Sequence, residues 1–318
     1  MVKPLHEHRF QQKELPMMNE VNQEDHEPSS LSRGIKTISL VIAGFFILVL
    51  GITILEEAIP VGSENSIALI RIEGIILDSQ EVIRQIKHFT DDSTIQAIVV
   101  RINSPGGAVV PSQEIYEALK RARDEGEKMV VTSMGDMAAS GGYYIASASN
   151  TILANPGTIT GSIGVIMEMT NAEKLLAKIG LESVVVKSGL HKDIGSPFLP
   201  LSEEARAILQ DVMDDVHDQF IHAVAEGRKM EITQVHLLAD GRIFTGRQAL
   251  EVNLVDRLGT LQDAIKLAAD FSGITEEPTI IEIEPRFSLK DLVRVQLQEI
   301  LYTIITPTMF SLKFKFSL

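Results

Sequence analysis

The sequence predicts an α/β domain built on a mostly parallel sheet and carried behind a single transmembrane helix. Two observations lead there. Between residues 67 and 134, apolar β-branched runs alternate with amphipathic stretches of helical spacing, the order that gives parallel strands joined by crossover helices. Ahead of them, TISLVIAGFFILVLGITIL (residues 37–55) carries no charge in 19 positions. At ~1.5 Å per residue that run is about as long as the ~30 Å core of a bilayer is thick.

Taken in order, residues 1–34 are polar and without periodicity and read as a disordered tail. The anchor spans 35–59. No A-x-A site follows it and the tail ahead of it is long, so a cleaved leader is disfavoured. Arg33 and Lys36 precede the span while Glu56 and Glu57 follow it, which orients the tail to the cytoplasm and the rest outside the cell membrane. The α/β domain is expected over 60–287. IALIRIEGII (67–76), TIQAIVVRINS (94–104) and KMVVTSM (128–134) read as strands; QEVIRQIKHF (80–89) and SQEIYEALKRARDEG (112–126) read as helices. Short strands are expected within 151–166 and a long charged helix over 202–228. The remainder, 288–318, reads as a C-terminal helix and tail. LKDLVRVQLQEILYTII (289–305) has an amphipathic pattern suited to packing on a neighbouring subunit, and MFSLKFKFSL (309–318) alternates apolar and polar residues. A membrane-surface contact or a tail entering an active site are the alternatives there.

Composition removes several functions. The chain has 43 acidic and 29 basic residues for a net charge of −14, which argues against nucleic-acid binding. It has no cysteine, so disulfides and thiolate chemistry are excluded. The eight histidines are scattered, and neither a metal nor another cofactor is expected.

Ligands in parallel α/β folds gather at the carboxyl ends of strands, and three glycine-bearing loops sit there. NSPGGAVV (103–110) suits backbone N–H groups turned outward as an oxyanion hole. GDMAASGGYYIASAS (135–149) sets Ser140 among alanines and glycines, as a helix cap or as a nucleophile. It is not a G-x-S-x-G elbow, because Ala138 takes the first glycine's place. TITGSIGVI offers a second serine, Ser162. The base is open among His191, Lys187 and Lys192, all in KSGLHKDIGSP (187–197). Lysine can serve when burial lowers its pKa, and serine–lysine pairs are a recognised variant of the triad. His217 and His222 fall on the charged helix and read as a solvated face.

Taken together, RINSPGGAVVPSQEIYEAL, MGDMAASGGYYIASAS, TITGSIGVI, KSGLHKDIGSPF and DGRIFTGRQALEVNLVDRLG, in this order over about residues 66–270, resemble the signal peptide peptidase A family of membrane-bound serine peptidases. The resemblance implies a Clp-protease/crotonase-like fold and a Ser–Lys dyad. It places the nucleophile on Ser140, the general base on Lys192, a supporting hydroxyl on Ser162, and the oxyanion hole on Gly107 with the N–H of Gly141. A single copy of SGGYY and SPGG matches the family's short form, in which both residues of the dyad come from one repeat. That form implies a ring-like homo-oligomer and remnant signal peptides, or other hydrophobic peptides, as substrates. A peptidase acting on stomatin-type membrane proteins and an inactive anchored scaffold are the alternatives. An enoyl-CoA hydratase-like enzyme is disfavoured by the lack of glutamate in 103–110 and 136–144.

Overall fold

The computed structural model describes residues 65–126 and 128–283 and the backbone of residues 313–315. The tail, the apolar run 37–55 and the amphipathic stretch 289–305 lie outside the described residues. Among the described residues no helix is long and apolar enough to cross a membrane.

The domain is a mostly parallel eight-stranded sheet with helices on both faces. β1 (Ser66–Glu73), α1 (Gln80–Asp91), β2 (Ile95–Ser104), the short β3 (Gly106–Ala108), α2 (Val109–Asp124) and β4 (Met129–Ala139) follow in the expected alternation. Then come α3 (Gly141–Ala146), β5 (Thr151–Ala154), β6 (Ile159–Gly161), α4 (Glu173–Lys178) and the long α5 (Glu203–Arg228). α6 (Ile232–Leu238), β7 (Ile243–Thr245), α7 (Gly246–Glu251), β8 (Arg257–Leu258), α8 (Leu261–Phe271) and β9 (Thr279–Glu282) complete the sheet, and β10 is Lys313–Lys315.

The central order is β7-β6-β4-β2-β1-β9, with β5 on β4 and β8 on β5. Every pairing in this sheet is parallel except β6 with β7. β1 is buried on both faces, as its near-continuous apolar run requires. Ile67 and Leu69 pack with Ala264, Ala268 and Ala269 of α8, whereas Ala68 and Ile70 join the larger core with Ile86, Phe89 and Ile115 of α1 and α2.

Two differences from the sequence reading bear on function. First, β4 does not stop at Met134. Ile102 pairs with Met134, but Ser104 pairs with Ala138. β4 therefore takes four steps where β2 takes two, and the extra residues bulge. The bulge lets one strand pair first with β5, through Val131–Ser133, and then with β6, through Met137–Ala139. Bulges re-aim strands in this way next to functional sites. Second, the glycines after SP form a short strand, and α2 starts at Val109 instead of 112. Pro111 is accommodated because the first helical turn needs no N–H from it.

Candidate active site

β4 delivers its last residue, Ala139, directly to Ser140, and α3 begins at Gly141. Ser140 adopts φ 54 and ψ −118, a conformation that costs a non-glycine residue ~1–3 kcal/mol. Its backbone is held on both sides. The N–H donates to Gly161 O at 2.8 Å, and the carbonyl accepts from Tyr144 N at 2.8 Å. Ser140 thus stands at the helix N-cap as its residue type predicts, yet its hydroxyl makes no capping hydrogen bond. The Oγ is buried with no hydrogen-bond partner among the described residues. A cap would spend the hydroxyl; here it is unengaged.

Donors surround it. The first N–H groups of a helix have no intrahelical acceptor, and Gly141, immediately after Ser140, supplies one of them. α3 lies against β3. It also approaches the end of β2 closely: a Cβ on Gly142 would come 3.1 Å from Ser104 O. The small neighbours of Ser140 are buried in this contact, so they serve close packing of backbone on backbone rather than clearance for a ligand.

β3 has a defined polarity. Ile76 N donates to Gly106 O at 3.0 Å and Ala108 N donates to Ile76 O at 2.8 Å. Successive residues of a strand point their hydrogen-bonding groups to opposite edges. Gly107 therefore presents its N–H and C=O to the edge away from Ile76. No side chain fits at this position, since a Cβ would sit 2.0 Å from Ile76 O.

Ser162 is the second non-glycine residue of this region with positive φ, at 52. The bond from Ser140 N to Gly161 O places it next to the Ser140 elbow. Its own N–H donates to Arg242 O at 2.8 Å. That loop is braced by Asp240, whose carboxyl is pulled down to about 2 by hydrogen bonds from the Arg242 side chain and then from its backbone N–H. Ser162 lines a cavity of about 470 Å³ together with Met213, Asp214 and His217 of α5. His217 departs from the solvated-face expectation: its Nε2 is buried and has no partner among the described residues.

Ser140, Gly141, Gly107 and Ser162 are therefore brought together, and the candidate base is not. The 187–197 segment is an irregular exposed loop. Lys187 is paired with Asp193 at 2.6 Å, and His191 lies 3.6 Å from Glu204. Both line a second cavity of about 590 Å³, to which Ser140 does not contribute. The Lys192 backbone N–H donates to Gly189 O at 3.1 Å, but its side chain has no hydrogen bond or ion pair among the described residues. Of the three candidate bases it is the one left unengaged.

A support behind Ser140 escaped the sequence reading. Tyr143 is fully buried and its hydroxyl donates to Leu254 O at 2.9 Å; burial pushes its pKa up. The 253–256 turn is clamped in its turn by Arg228. Nε donates to Asn253 O at 3.1 Å, and the two terminal nitrogens donate to Asp256 at 2.9 and 2.6 Å. Asp256 also accepts from Ile152 N at 2.7 Å. Only Asp256 of this clamp lies in a segment the sequence reading singled out, DGRIFTGRQALEVNLVDRLG; Arg228 ends the long helix and carried no signal.

Residues 122–275 match the description "Peptidase family S49", and residues 70–156 match "Clp protease". A putative protease of Synechocystis is 45% identical over 234 residues, covering 73% of this chain and 83% of that protein. The chain belongs to peptidase family S49. A putative signal peptide peptidase SppA of Enterococcus faecium is 35% identical, covering 72% of this chain and 70% of that protein. Protease 4 of Salmonella typhi is 35% identical over 79% of this chain, but only 43% of its own length is matched. The chain is accordingly an SppA-family serine peptidase on a Clp protease-like α/β scaffold. Among the described serines, Ser140 combines a strained backbone, an unengaged hydroxyl and a place at the start of a helix.

Proposed function

We propose that this S49 peptidase is anchored in the cell membrane by residues 37–55, with its tail cytoplasmic and its domain outside. There it degrades remnant signal peptides or other hydrophobic peptides. Ser140 Oγ attacks the substrate carbonyl while Lys192 Nζ takes its proton, with Ser162 orienting the lysine. The N–H groups of Gly107 and Gly141 hold the oxyanion. The protonated lysine then gives its proton to the leaving amine, and water activated by the same lysine hydrolyses the acyl-enzyme. The observation that carries this reading is the strained Ser140 at the start of a helix, with its hydroxyl unspent.

Lys192 must be brought to Ser140 and taken out of water to act as a base. The arm that carries it has the means. Val184 (82%), Val186 (96%) and Leu190 (70%) are exposed around it, an apolar patch that calls for a partner surface. Assembly into a ring-like homo-oligomer covers these side chains and delivers Lys192. The test is turnover of a fluorogenic signal-peptide substrate in detergent. Lys192→Ala is expected to abolish turnover with the fold intact, whereas His191→Ala retains it. Activity kept in the first variant and lost in the second overturns the dyad.

A further inference from the structure

Among the described residues, two buried side-chain polar atoms have no hydrogen-bond partner: Ser140 Oγ and His217 Nε2. Both border on Ser162. Ser140 adjoins it through the bond from its own N–H to Gly161 O at 2.8 Å. His217 shares with it the cavity of about 470 Å³ at the end of β6. No hydrogen bond joins Ser162 to His217 among the described residues. An unpaired buried polar atom lowers stability, and each one in a native fold calls for an explanation. Two of them beside one serine mark a place kept for an arriving group. The carboxylates of the cavity are already engaged. Asp240 accepts from Arg242 Nε at 2.8 and 2.9 Å, and Asp214 accepts from Gln210 Nε2 at 2.7 Å. Gly164, Val165 and Ile166 line the same cavity, and they stand at the root of the segment that carries Lys192. A movement of that segment therefore alters a wall of the cavity.

We propose that His217 is a positioning residue for the general base: its Nε2 accepts a hydrogen bond from Lys192 Nζ once the lysine is delivered. This rests on the reading of Ser140, Ser162 and Lys192 given above. The count of donors and acceptors fits. A neutral amine has one lone pair and two N–H groups. The lone pair faces Ser140 Oγ and takes its proton, while one N–H donates to Ser162 Oγ and the other to His217 Nε2. A single arriving group thus gives both orphaned atoms a partner. The imidazole is neutral and carries its proton on Nδ1 in this arrangement, which leaves Nε2 an acceptor. Being uncharged, it fixes the amine without the attraction of a carboxylate, which would favour the ammonium form and weaken the base. The proton that moves from Oγ to Nζ passes on to the leaving amine, so His217 neither gains nor loses one.

The test uses the full chain in detergent. It compares His217→Phe, which keeps a ring without its nitrogens, with His217→Gln, whose amide group falls near the place of Nε2. The readouts are kcat and KM on a fluorogenic peptide, the unfolding midpoint, and the rate at which a fluorophosphonate labels Ser140, located by peptide mass spectrometry. His217→Phe is expected to lower kcat about tenfold, the factor for one hydrogen bond of modest net strength, with KM within about twofold of the parent. Its stability should not fall, because an unpaired buried nitrogen is removed. A structural role would instead lower activity and stability together. His217→Gln is expected to recover most of kcat. His217→Phe should slow labelling in the parent and leave it unchanged in a Lys192→Ala background, since the two side chains act as one unit. Parent kcat in the Phe variant, equal losses in Phe and Gln, or equal slowing with and without Lys192 overturns the inference while the dyad stands. Turnover kept in Lys192→Ala, or label on a residue other than Ser140, overturns the site reading instead. Should the Phe variant fail to fold, His217→Met takes its place, with an unbranched side chain that fills irregular gaps.

Discussion

The geometry at Ser140 makes a quantitative prediction about stability. Two costs are superposed there: a non-glycine residue at φ 54 and ψ −118, and a buried hydroxyl with no partner. Ser140→Ala removes the second and keeps the first. Leaving a buried polar group unsatisfied costs ~1–3 kcal/mol, so the alanine variant is expected to be more stable than the parent by about 1 kcal/mol. Ser140→Gly removes both. Strain relief of ~1–3 kcal/mol is offset by the ~0.5–1 kcal/mol that glycine loses through unfolded-chain entropy, which leaves about 1 kcal/mol more. The order parent, alanine, glycine should appear as rising stability in denaturant unfolding, with total Tm gains of about 4–8 °C at ~2–4 °C per kcal/mol for a domain of this size. Both variants are inactive. An alanine variant less stable than the parent, with glycine no better than alanine, would refute the argument. It would mean that the hydroxyl has a partner and the backbone is relaxed.

Other outcomes follow from neighbouring contacts. Gly107→Ala forces a Cβ against Ile76 O; overpacking of this kind costs ~1–3 kcal/mol, and displacing an oxyanion donor lowers kcat by ~10²–10³. Paired unfolding and kinetic measurements separate the two effects. Tyr143→Phe removes the bond to Leu254 O and is expected to cost about 1 kcal/mol, with kcat falling more than KM changes because Ser140 loses its support. Arg228→Met breaks an ion pair whose arginine side chain is 5% exposed and whose aspartate is 35% exposed. The half-open carboxylate lowers the usual penalty for a broken buried pair to about 2–3 kcal/mol, measurable in the same unfolding experiment.

The strands and the first helices were legible because their physics is local. Continuous β-branched runs such as IALIRI make strands buried on both faces, and the spacing in QEVIRQIKHF makes a helix one face of which, Ile86 and Phe89, is buried. What was not legible depends on neighbours in space. Nothing in KMVVTSMGDMAAS announces that β4 runs on through a bulge to Ala139, because the bulge exists to change partner from β5 to β6. Composition left Ser140 and Ser162 nearly equivalent, and both prove to have positive φ. They differ in that the Ser140 hydroxyl is shut in without a partner whereas Ser162 opens on a cavity. The lysine is the extreme case. Its role came from a resemblance alone, and within one chain it stays in an exposed loop, apart from the serine it would serve.

That separation has a physical logic. A nucleophile held in strain must be gripped by rigid elements, and Ser140 is, through Gly161, Tyr144 and the Tyr143–Leu254 bond. A lysine that must lose its proton needs to leave water, and a loop bearing Val184, Val186 and Leu190 on its surface can leave water only by packing on something else. On the proposed mechanism, a buried serine and a lysine on an exposed loop would tie proton abstraction to whatever covers the loop. An isolated chain then carries a primed serine without its base, and catalysis should rise more steeply than in proportion to enzyme concentration as the chain is concentrated through its assembly range. Strict proportionality between rate and concentration across dissociation of the oligomer, followed by light scattering, would show that Lys192 reaches Ser140 without assembly.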